Sequence, residues 1–227
     1  MTAMSTSIED RKAETREMIV QAASRVFSEK GYHKAQIADI VKAAGISTGS
    51  IYAHFKDKRD LFEQISRVNL ENLRVRLKEL RQTTLPGDVR ERVQRWKQTY
   101  CTFFDYVDAN PEQILMVVRG GFGVDEDHDA SLWDYFNLFA SDIADDFRKW
   151  QQLGFIKGGN PHLLGHIIIG MSMHVAHSYL VDKQFTQNEA INTLMALNHA
   201  MFSIYLTEKG KDELGDLSAP QLPDDEE

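Results

Sequence analysis

The sequence predicts an all-α protein with a small N-terminal three-helix domain and a larger C-terminal helical domain. Three observations predict this fold class. Proline and glycine are sparse, with 5 and 14 among 227 residues. No segment alternates apolar and polar residues as a half-buried strand does. Apolar residues instead recur at steps of three and four, which is the period of an amphipathic helix.

The N-terminal helices are predicted from their end signals. Gly31 occupies the position of a C-terminal cap for the first helix, and Gly45 breaks the second helix. Ser47 is suited to cap the third helix, and Asp57 the fourth. The predicted helices span residues 8–30, 36–44, 48–54, 57–80, 88–108, 111–118, 130–153, 161–183 and 187–207.

Composition restricts the class of protein further. The net charge is −8, but residues 8–60 carry ten Lys or Arg against eight Asp or Glu, so this segment is +2 and the remainder −10. A polyanionic partner is therefore expected only at the N-terminal end. The single cysteine, Cys101, forms no intramolecular disulfide and fits a reducing cytoplasm. We expect no membrane span, because no stretch of about 18 apolar residues occurs.

The segment from Gln36 to His54 has the pattern of a helix-turn-helix. Two short helices flank a tight turn at Gly45, and Ile51 and Phe55 are predicted to anchor the second of them from inside. That arrangement leaves small polar residues on the outer face, where hydroxyls and backbone amides can approach phosphates and base edges.

The string GYHKAQIADIVKAAGISTGSIYAHFKDKRDLF, residues 31–62, resembles the N-terminal domain of TetR-family regulators, and the resemblance extends over about residues 12–72. It implies an N-terminal DNA-binding domain at residues 9–56 and a helical effector-binding and dimerisation domain at 57–208. Residues 1–8 and the acidic tail 209–227 are expected to be disordered. The segment 83–87 is expected to be a loop at a domain boundary.

The resemblance also assigns contacts with operator DNA. Residues at the start of the second and third helices are expected to contact base edges and nearby phosphates. Residues from Tyr52 onward are expected to contact phosphates. These candidates are Gln36, Thr48, Gly49, Ser50, Tyr52, His54, Lys56 and Lys58. The family usually starts the second helix with a threonine, but here that position is Ala35, so one cap and one phosphate contact are expected to be missing.

A small, hydrophobic effector of unknown identity is expected to bind the C-terminal domain and release the DNA. Aromatic residues recur on its predicted helix faces, either as simple core or as the walls of an apolar pocket. The candidate pocket residues are Trp96, Tyr100, Phe103, Phe104, Met116, Phe122, Trp133, Phe136, Met173 and His174.

The last two long helices are expected to form the homodimer interface, as the equivalent pair does in the family, with burial inside the protomer as the alternative. Small residues in the first of them would allow close helix approach. The candidate interface residues are Leu164, Gly165, Ile168, Met171, Ile191, Leu194, Met195, Asn198, Met201, Phe202 and Tyr205.

The C-terminal histidines leave alternatives open. His162 and His166, like His174 and His177, have spacings that place two rings on one helix face. No HExxH pattern or cysteine pair accompanies them, so we expect no metal, no cofactor and no enzyme activity. The acidic run at 125–129 is expected to be a solvated loop. A regulator that acts through a protein partner, or as an activator, remains the alternative function.

Overall fold

The computed structural model describes residues 8–82 and 89–214, with side chains described within 8–80 and 94–212. Its helices are α1 (Ile8–Lys34), α2 (Ile37–Ala44), α3 (Thr48–Tyr52), α4 (Lys58–Gln82), α5 (Val89–Ala109), α6 (Pro111–Gly120), α7 (Glu126–Gln152), α8 (Pro161–Val181), α9 (Gln187–Ser203) and α10 (Glu208–Leu214). Within the described ranges, the remaining regular structure is an isolated antiparallel bridge between Ile156 and Leu206. The predicted all-α fold is confirmed.

The predicted end of the first helix at Gly31 is confirmed, because φ 73° and ψ 162° at Gly31 are non-helical; a further short turn then follows to Lys34. Two other predicted elements need correction. The acidic run is not a loop, since Glu126, Asp127 and Asp129 form the first turn of α7. Negative side chains are favourable at that helix end.

The second correction concerns the C-terminal end. Helix α10 occupies Glu208–Leu214, where a disordered tail was expected to begin at residue 209. Its Gly210 lies so close to the Phe155 carbonyl that a Cβ there would collide with it. The expectations for residues 1–7, for the loop at 83–87 and for the tail at 215–227 fall outside the described residues.

The chain divides into two compact units. The first contains residues 1–71 and 110–132, and the second contains 72–109 and 133–227. In the first unit α6 packs on α1. The aromatic ring of Phe62 is fully buried and lies 4.9 Å from the ring of Phe27 and 5.1 Å from that of Tyr32. The three rings form the centre of the first unit's core.

The second unit has a core of its own. Phe202 stacks on Phe147 at 4.7 Å between ring centroids, and both contact partly buried aromatic residues around them. Trp96 and Trp150 stack nearly parallel at 5.7 Å, and each meets Phe202 edge-on. This aromatic cluster joins α5, α7 and α9.

Helix α8 meets the length and composition criteria for a membrane span. Its most apolar window has a mean hydropathy of 1.2, and 28% of that window is buried in the protein. The expectation that no segment is long and apolar enough to span a membrane is therefore wrong for α8. A core helix of a soluble protein meets the same criteria, so this one helix is weak evidence for a membrane location.

Candidate nucleic-acid interface

The two helices of the predicted helix-turn-helix are joined by a turn that requires glycine. Gly45 has φ 66° and ψ 30°, a left-handed conformation that other residues rarely adopt. Its N–H donates to the Val41 carbonyl at 3.0 Å and closes α2. Ser47 then caps α3, because its hydroxyl oxygen accepts a hydrogen bond from the Ser50 N–H at 3.1 Å. The predicted cap is confirmed.

The start of α2 is stabilised without the threonine that the family usually has. Ala35 is buried, and Gln36 is the N-cap residue. The carboxylate of Asp39 accepts from the Gln36 N–H at 3.0 Å and pairs with Lys30 at 2.7 Å. The bond with Lys30, followed by that with the Gln36 N–H, lowers the pKa of Asp39. Asp39 therefore satisfies a backbone donor at this helix end.

The predicted DNA contacts lie on one short segment and differ in exposure. Ile51 and Phe55 are buried and hold α3 against the core of the first unit. Around them, five of the eight predicted contact residues are exposed and three are half-buried. The exposed ones are Gln36, Thr48, Gly49, Tyr52 and Lys56, and the half-buried ones are Ser50, His54 and Lys58.

Lys58 is engaged within the protein. Its ammonium group donates to the carbonyls of Tyr32 at 2.8 Å and Ala35 at 3.0 Å. The same group lies 4.3 Å from the centroid of the Tyr32 ring, within cation–π distance. Lys58 thus ties the start of α4 to the end of α1, and a phosphate would compete with these carbonyls.

His54 lies at the end of the helix-turn-helix in a cationic environment. Burial of its half-buried imidazole lowers its pKa, and the positive charges of Lys12 and Arg16 lower it further. Its ring lies 6.4 Å from that of Phe55. The imidazole is therefore kept neutral more readily than a free histidine, and an anion placed beside it would favour its protonated form.

Sequence reasoning missed a set of contacts between α4 and the segment that joins α6 to α7. Arg59 binds Asp125 through two hydrogen bonds, of 2.5 and 3.0 Å. This pairing lowers the pKa of Asp125 well below its usual range and raises that of Arg59. Asp125 also accepts from the His128 N–H at 2.9 Å, so one carboxylate serves the start of both α4 and α7.

The same segment contacts the end of α1. The Nε2 atom of His33 lies 2.5 Å from the Gly123 carbonyl oxygen, and the Gly123 N–H donates to Asp129 at 2.9 Å. His128 is 3% exposed, packs edge-on against Phe62, and burial lowers its pKa. The sequence signal for these contacts was the acidic run at 125–129. Its carboxylates accept the hydrogen bonds described above, so the run is not the solvated loop that was expected.

The structure does not bring the predicted pocket residues together. Trp96 lies in the aromatic cluster of the second unit, and Tyr100 is buried and accepts a hydrogen bond from Asn198. Phe103 and Phe104 are buried against each other. The rest are scattered: Met116 and Phe122 belong to the first unit, Trp133 is 55% exposed, and Phe136 and Met173 are half-buried.

A groove of about 670 Å³ lies between α8 and α9, and His174 is the predicted pocket residue found in it. Its floor includes the buried Ala190 and Leu194, and its wall includes the exposed Leu197. The remaining lining residues are Met171, Val175, Phe185, Glu189, Asn192 and Thr193.

Most of the predicted interface residues pack inside the protomer, so they are not available to a partner. Gly165 allows close approach of α7, not of a second copy, because a Cβ there would collide with the Ala140 carbonyl. The buried residues of this set are Leu164, Gly165, Ile168, Ile191, Leu194, Asn198 and Phe202, and the half-buried ones are Met171, Met195, Met201 and Tyr205.

Neighbouring positions face outward instead. Leu163 and Ile167 near the start of α8 are 59% and 39% exposed, and Leu197 and Ile204 near the end of α9 are 50% and 76% exposed. His162 contacts Arg148 at 2.9 Å. Among the described residues, no three His, Cys, Asp or Glu side chains cluster as metal ligands.

Comparison with known proteins identifies the N-terminal region. Residues 19–65 match the family model "Bacterial regulatory proteins, tetR family", and this span contains the whole helix-turn-helix. The N-terminal region is therefore a TetR-type DNA-binding region. The HTH-type transcriptional regulator AcrR of Shigella flexneri is 43% identical over 75 residues, which cover 33% of this chain and 34% of AcrR. The match thus spans about a third of that relative's length.

Other relatives extend the likeness to the C-terminal part. The HTH-type transcriptional regulator HbdR of Aromatoleum sp. (strain CIB) is 27% identical over 201 residues, covering 87% of this chain and 83% of HbdR. The solved structure of FadR from Bacillus subtilis in complex with stearoyl-CoA superposes with a TM-score of 0.68 at 18% identity, covering 80% of this chain and 96% of that one. The second likeness shows that the two chains share a fold.

Proposed function

We propose that this chain is a homodimeric TetR-family transcriptional repressor that binds a palindromic operator and leaves it when a small hydrophobic effector binds. The observation that carries the proposal is the orientation of α3. Ile51 of α3 and Phe55, three residues beyond its end, are buried, whereas Thr48, Gly49 and Tyr52 face solvent. An exposed helix with small polar residues at its start fits the major groove of DNA.

The roles within this surface follow from side-chain chemistry. Thr48, Ser50 and Gln36 carry hydroxyl or amide groups that suit base edges, and Gly49 allows close approach. Tyr52, His54 and Lys56 are proposed to bind phosphates. For Lys58 we propose a second role, in which its bonds to two carbonyls hold α4 and α1 together.

A second copy of the chain is the proposed occupant of the outer face of α8 and α9. Four exposed apolar side chains lie on these helices or directly after them, namely Leu163, Ile167, Leu197 and Ile204, and Leu197 also lines the groove. Packing the same face of a second copy onto it would bury them as a bundle. Such a dimer would present two recognition helices to half-sites roughly 34–36 Å apart.

The proposed effector is an acyl-chain or aromatic molecule, and the proposed location of the protein is the cytoplasm. The FadR structure from Bacillus subtilis holds stearoyl-CoA in the same overall fold. The second unit of this chain has an aromatic interior with a buried hydroxyl, that of Tyr100. An apolar site with few polar groups favours ligands that are mainly hydrophobic.

Capture of DNA from a pool of genomic fragments tests the main proposal. The wild-type protein should retain a fragment that contains a palindrome, and electrophoretic shifts with that duplex should show its affinity. The variant Thr48→Ala/Ser50→Ala should lose about 1–3 kcal/mol for each lost base contact. Asn137→Ala, an exposed change on α7, serves as the control and should bind normally. Absence of wild-type binding to any fragment rejects the proposal.

The effector and the sign of regulation need separate measurements on the captured duplex. Long-chain acyl-CoA or an aromatic acid should release the protein, whereas nucleotides and free coenzyme A, which lack an acyl chain, should not. Release by nucleotides or free coenzyme A alone rejects the hydrophobic class. Transcription in vitro from the captured fragment should fall when the protein is added, and a rise would make the protein an activator.

A further inference from the structure

One cation next to the helix-turn-helix lies outside the predicted contact surface. Several neighbouring cations are engaged within the protein: Lys30 by Asp39, Lys58 by two carbonyls, and Arg59 by Asp125. Lys12 is different. It is exposed, and among the described residues no ion pair or hydrogen bond engages its ammonium group.

The position of Lys12 follows from that of Arg16, one helical turn further along α1. The Arg16 guanidinium lies 5.2 Å from the centroid of the Phe55 ring and donates to the Gln64 side-chain oxygen at 3.0 Å. Residues four apart share one face of a helix. Lys12 therefore projects from the face of α1 that lies along the end of the helix-turn-helix, next to His54.

A second observation agrees with this placement. The imidazole of His54 experiences the positive charge of Lys12, which helps to lower the pKa of His54. The two groups are therefore close enough to interact through space. Burial, and then the charges of Lys12 and Arg16, disfavour the protonated form of His54 in the free protein. An anion bound between Lys12 and His54 would stabilise both groups in their protonated forms.

We propose that Lys12 is a DNA-contacting residue that binds a backbone phosphate beside the one held by His54, so that α1 extends the operator-binding surface. The inference rests on the proposed function and adds a residue outside the helix-turn-helix. An ammonium group suits a phosphate, to which it offers a compact point charge with three donors on a flexible stem. Such a contact positions the protein on the duplex without selecting its sequence.

The salt dependence of DNA binding tests the phosphate contact. Each neutralised phosphate contributes a slope of about 0.9 to the fall of log affinity with log salt concentration. Lys12→Gln should therefore reduce the slope on the captured duplex by about 0.9 and weaken binding to a mixed-sequence duplex as well. Lys12→Arg should retain the wild-type slope. Arg25→Gln, which changes an exposed cation further along the same helix, should also retain it.

Titration of His54 by NMR in the DNA-free protein provides a second measurement, with His54→Gln identifying its signal. Lys12→Gln should raise the pKa of His54, because a nearby positive charge is lost. Lys12→Arg and Arg25→Gln should leave that pKa unchanged. An unchanged His54 pKa in Lys12→Gln would overturn the placement beside the helix-turn-helix.

The outcomes separate this inference from the proposed function. If the wild-type protein binds DNA and Lys12→Gln has the wild-type salt slope, the phosphate contact is overturned and the proposed function stands. If the wild-type protein binds no DNA, the proposed function and this inference both fail. Thermal unfolding of each variant should match the wild type, since Lys12 is exposed.

Discussion

The two units of this chain contrast in how far spacing along the sequence determines which side chains face outward. In the first unit, α2 and α3 are short, and their apolar residues fall on one side only. In the second unit, α8 places apolar residues next to each other on opposite sides: Leu163 is exposed beside buried Leu164, and Ile167 is exposed beside buried Ile168. Periodicity identifies an inner face only where the outer face is polar.

The largest expected effect tests the core of the first unit. Phe62 is fully buried and contacts Phe27, Tyr32 and His128, so Phe62→Ala should destabilise the protein by about 3–5 kcal/mol. Urea unfolding followed by circular dichroism measures this change. Phe62→Leu retains most of the volume and should cost less. A loss below about 1 kcal/mol for the alanine variant would show that this core relaxes, contrary to its dense packing.

A second pair of variants tests the two sides of α9. Leu194 is 1% exposed, and Leu194→Ala should lower the free energy of unfolding by about 2–5 kcal/mol. Leu197→Ala changes a residue that is half exposed and should leave the stability of the protomer within about 0.5 kcal/mol.

The same pair separates folding from association. Leu197→Ala should weaken the proposed dimer, measured by sedimentation equilibrium over a range of protein concentrations. An unchanged dimer together with a destabilised protomer would place Leu197 in the core and remove the distinction between the two sides of the helix.

DNA binding is expected to depend on pH through His54. Its pKa in the free protein lies below 6.5 and should rise beside a phosphate, so binding takes up a proton. The sign follows: affinity should increase as pH falls from the bound-state pKa toward the free-state pKa, by about tenfold for each unit between them. Fluorescence anisotropy with the captured duplex at several pH values measures this, and His54→Gln should flatten the profile. An equally steep profile in that variant contradicts the assignment.

The smallest expected effect compares one helix cap from each unit. Ser47 caps α3, and Thr186 caps α9, where its hydroxyl oxygen accepts from the Glu189 N–H at 3.2 Å. Replacing either with alanine should cost about 0.5–2 kcal/mol in unfolding free energy. Only Ser47→Ala should also weaken DNA binding, because Ser47 also contacts the Ser50 hydroxyl at 2.8 Å. Equal DNA affinity for the two variants would show that the contact between Ser47 and Ser50 plays no part in DNA binding.

Sequence analysis was most successful where a feature depends on a few neighbouring residues. The cap at Ser47 is local, as is the cap at Asp57, whose carboxylate accepts from the Asp60 N–H at 2.8 Å. The left-handed turn at Gly45 is equally local. Such features involve residues three or four apart, so the sequence contains all the information that specifies them.

Features that depend on distant residues were not predictable from one sequence. The pairing of Arg59 with Asp125 joins positions 66 residues apart, and nothing in the local pattern links them. Likewise, the aromatic spacing in α5 and α7 predicts helix faces but does not specify which faces meet. Trp96 and Trp133 therefore appeared equivalent, although Trp96 packs in a core and Trp133 is 55% exposed.

The shared carboxylate of Asp125 has an evolutionary consequence. It accepts two hydrogen bonds from Arg59 and one from the N–H of His128. Loss of Arg59 alone would leave a carboxylate that still serves α7, whereas loss of Asp125 alone would disturb two helices. We therefore expect the arginine to be replaced before the acid in lineages of related sequences that have lost both. Reconstructed ancestral sequences of these lineages should record the two substitutions in that order.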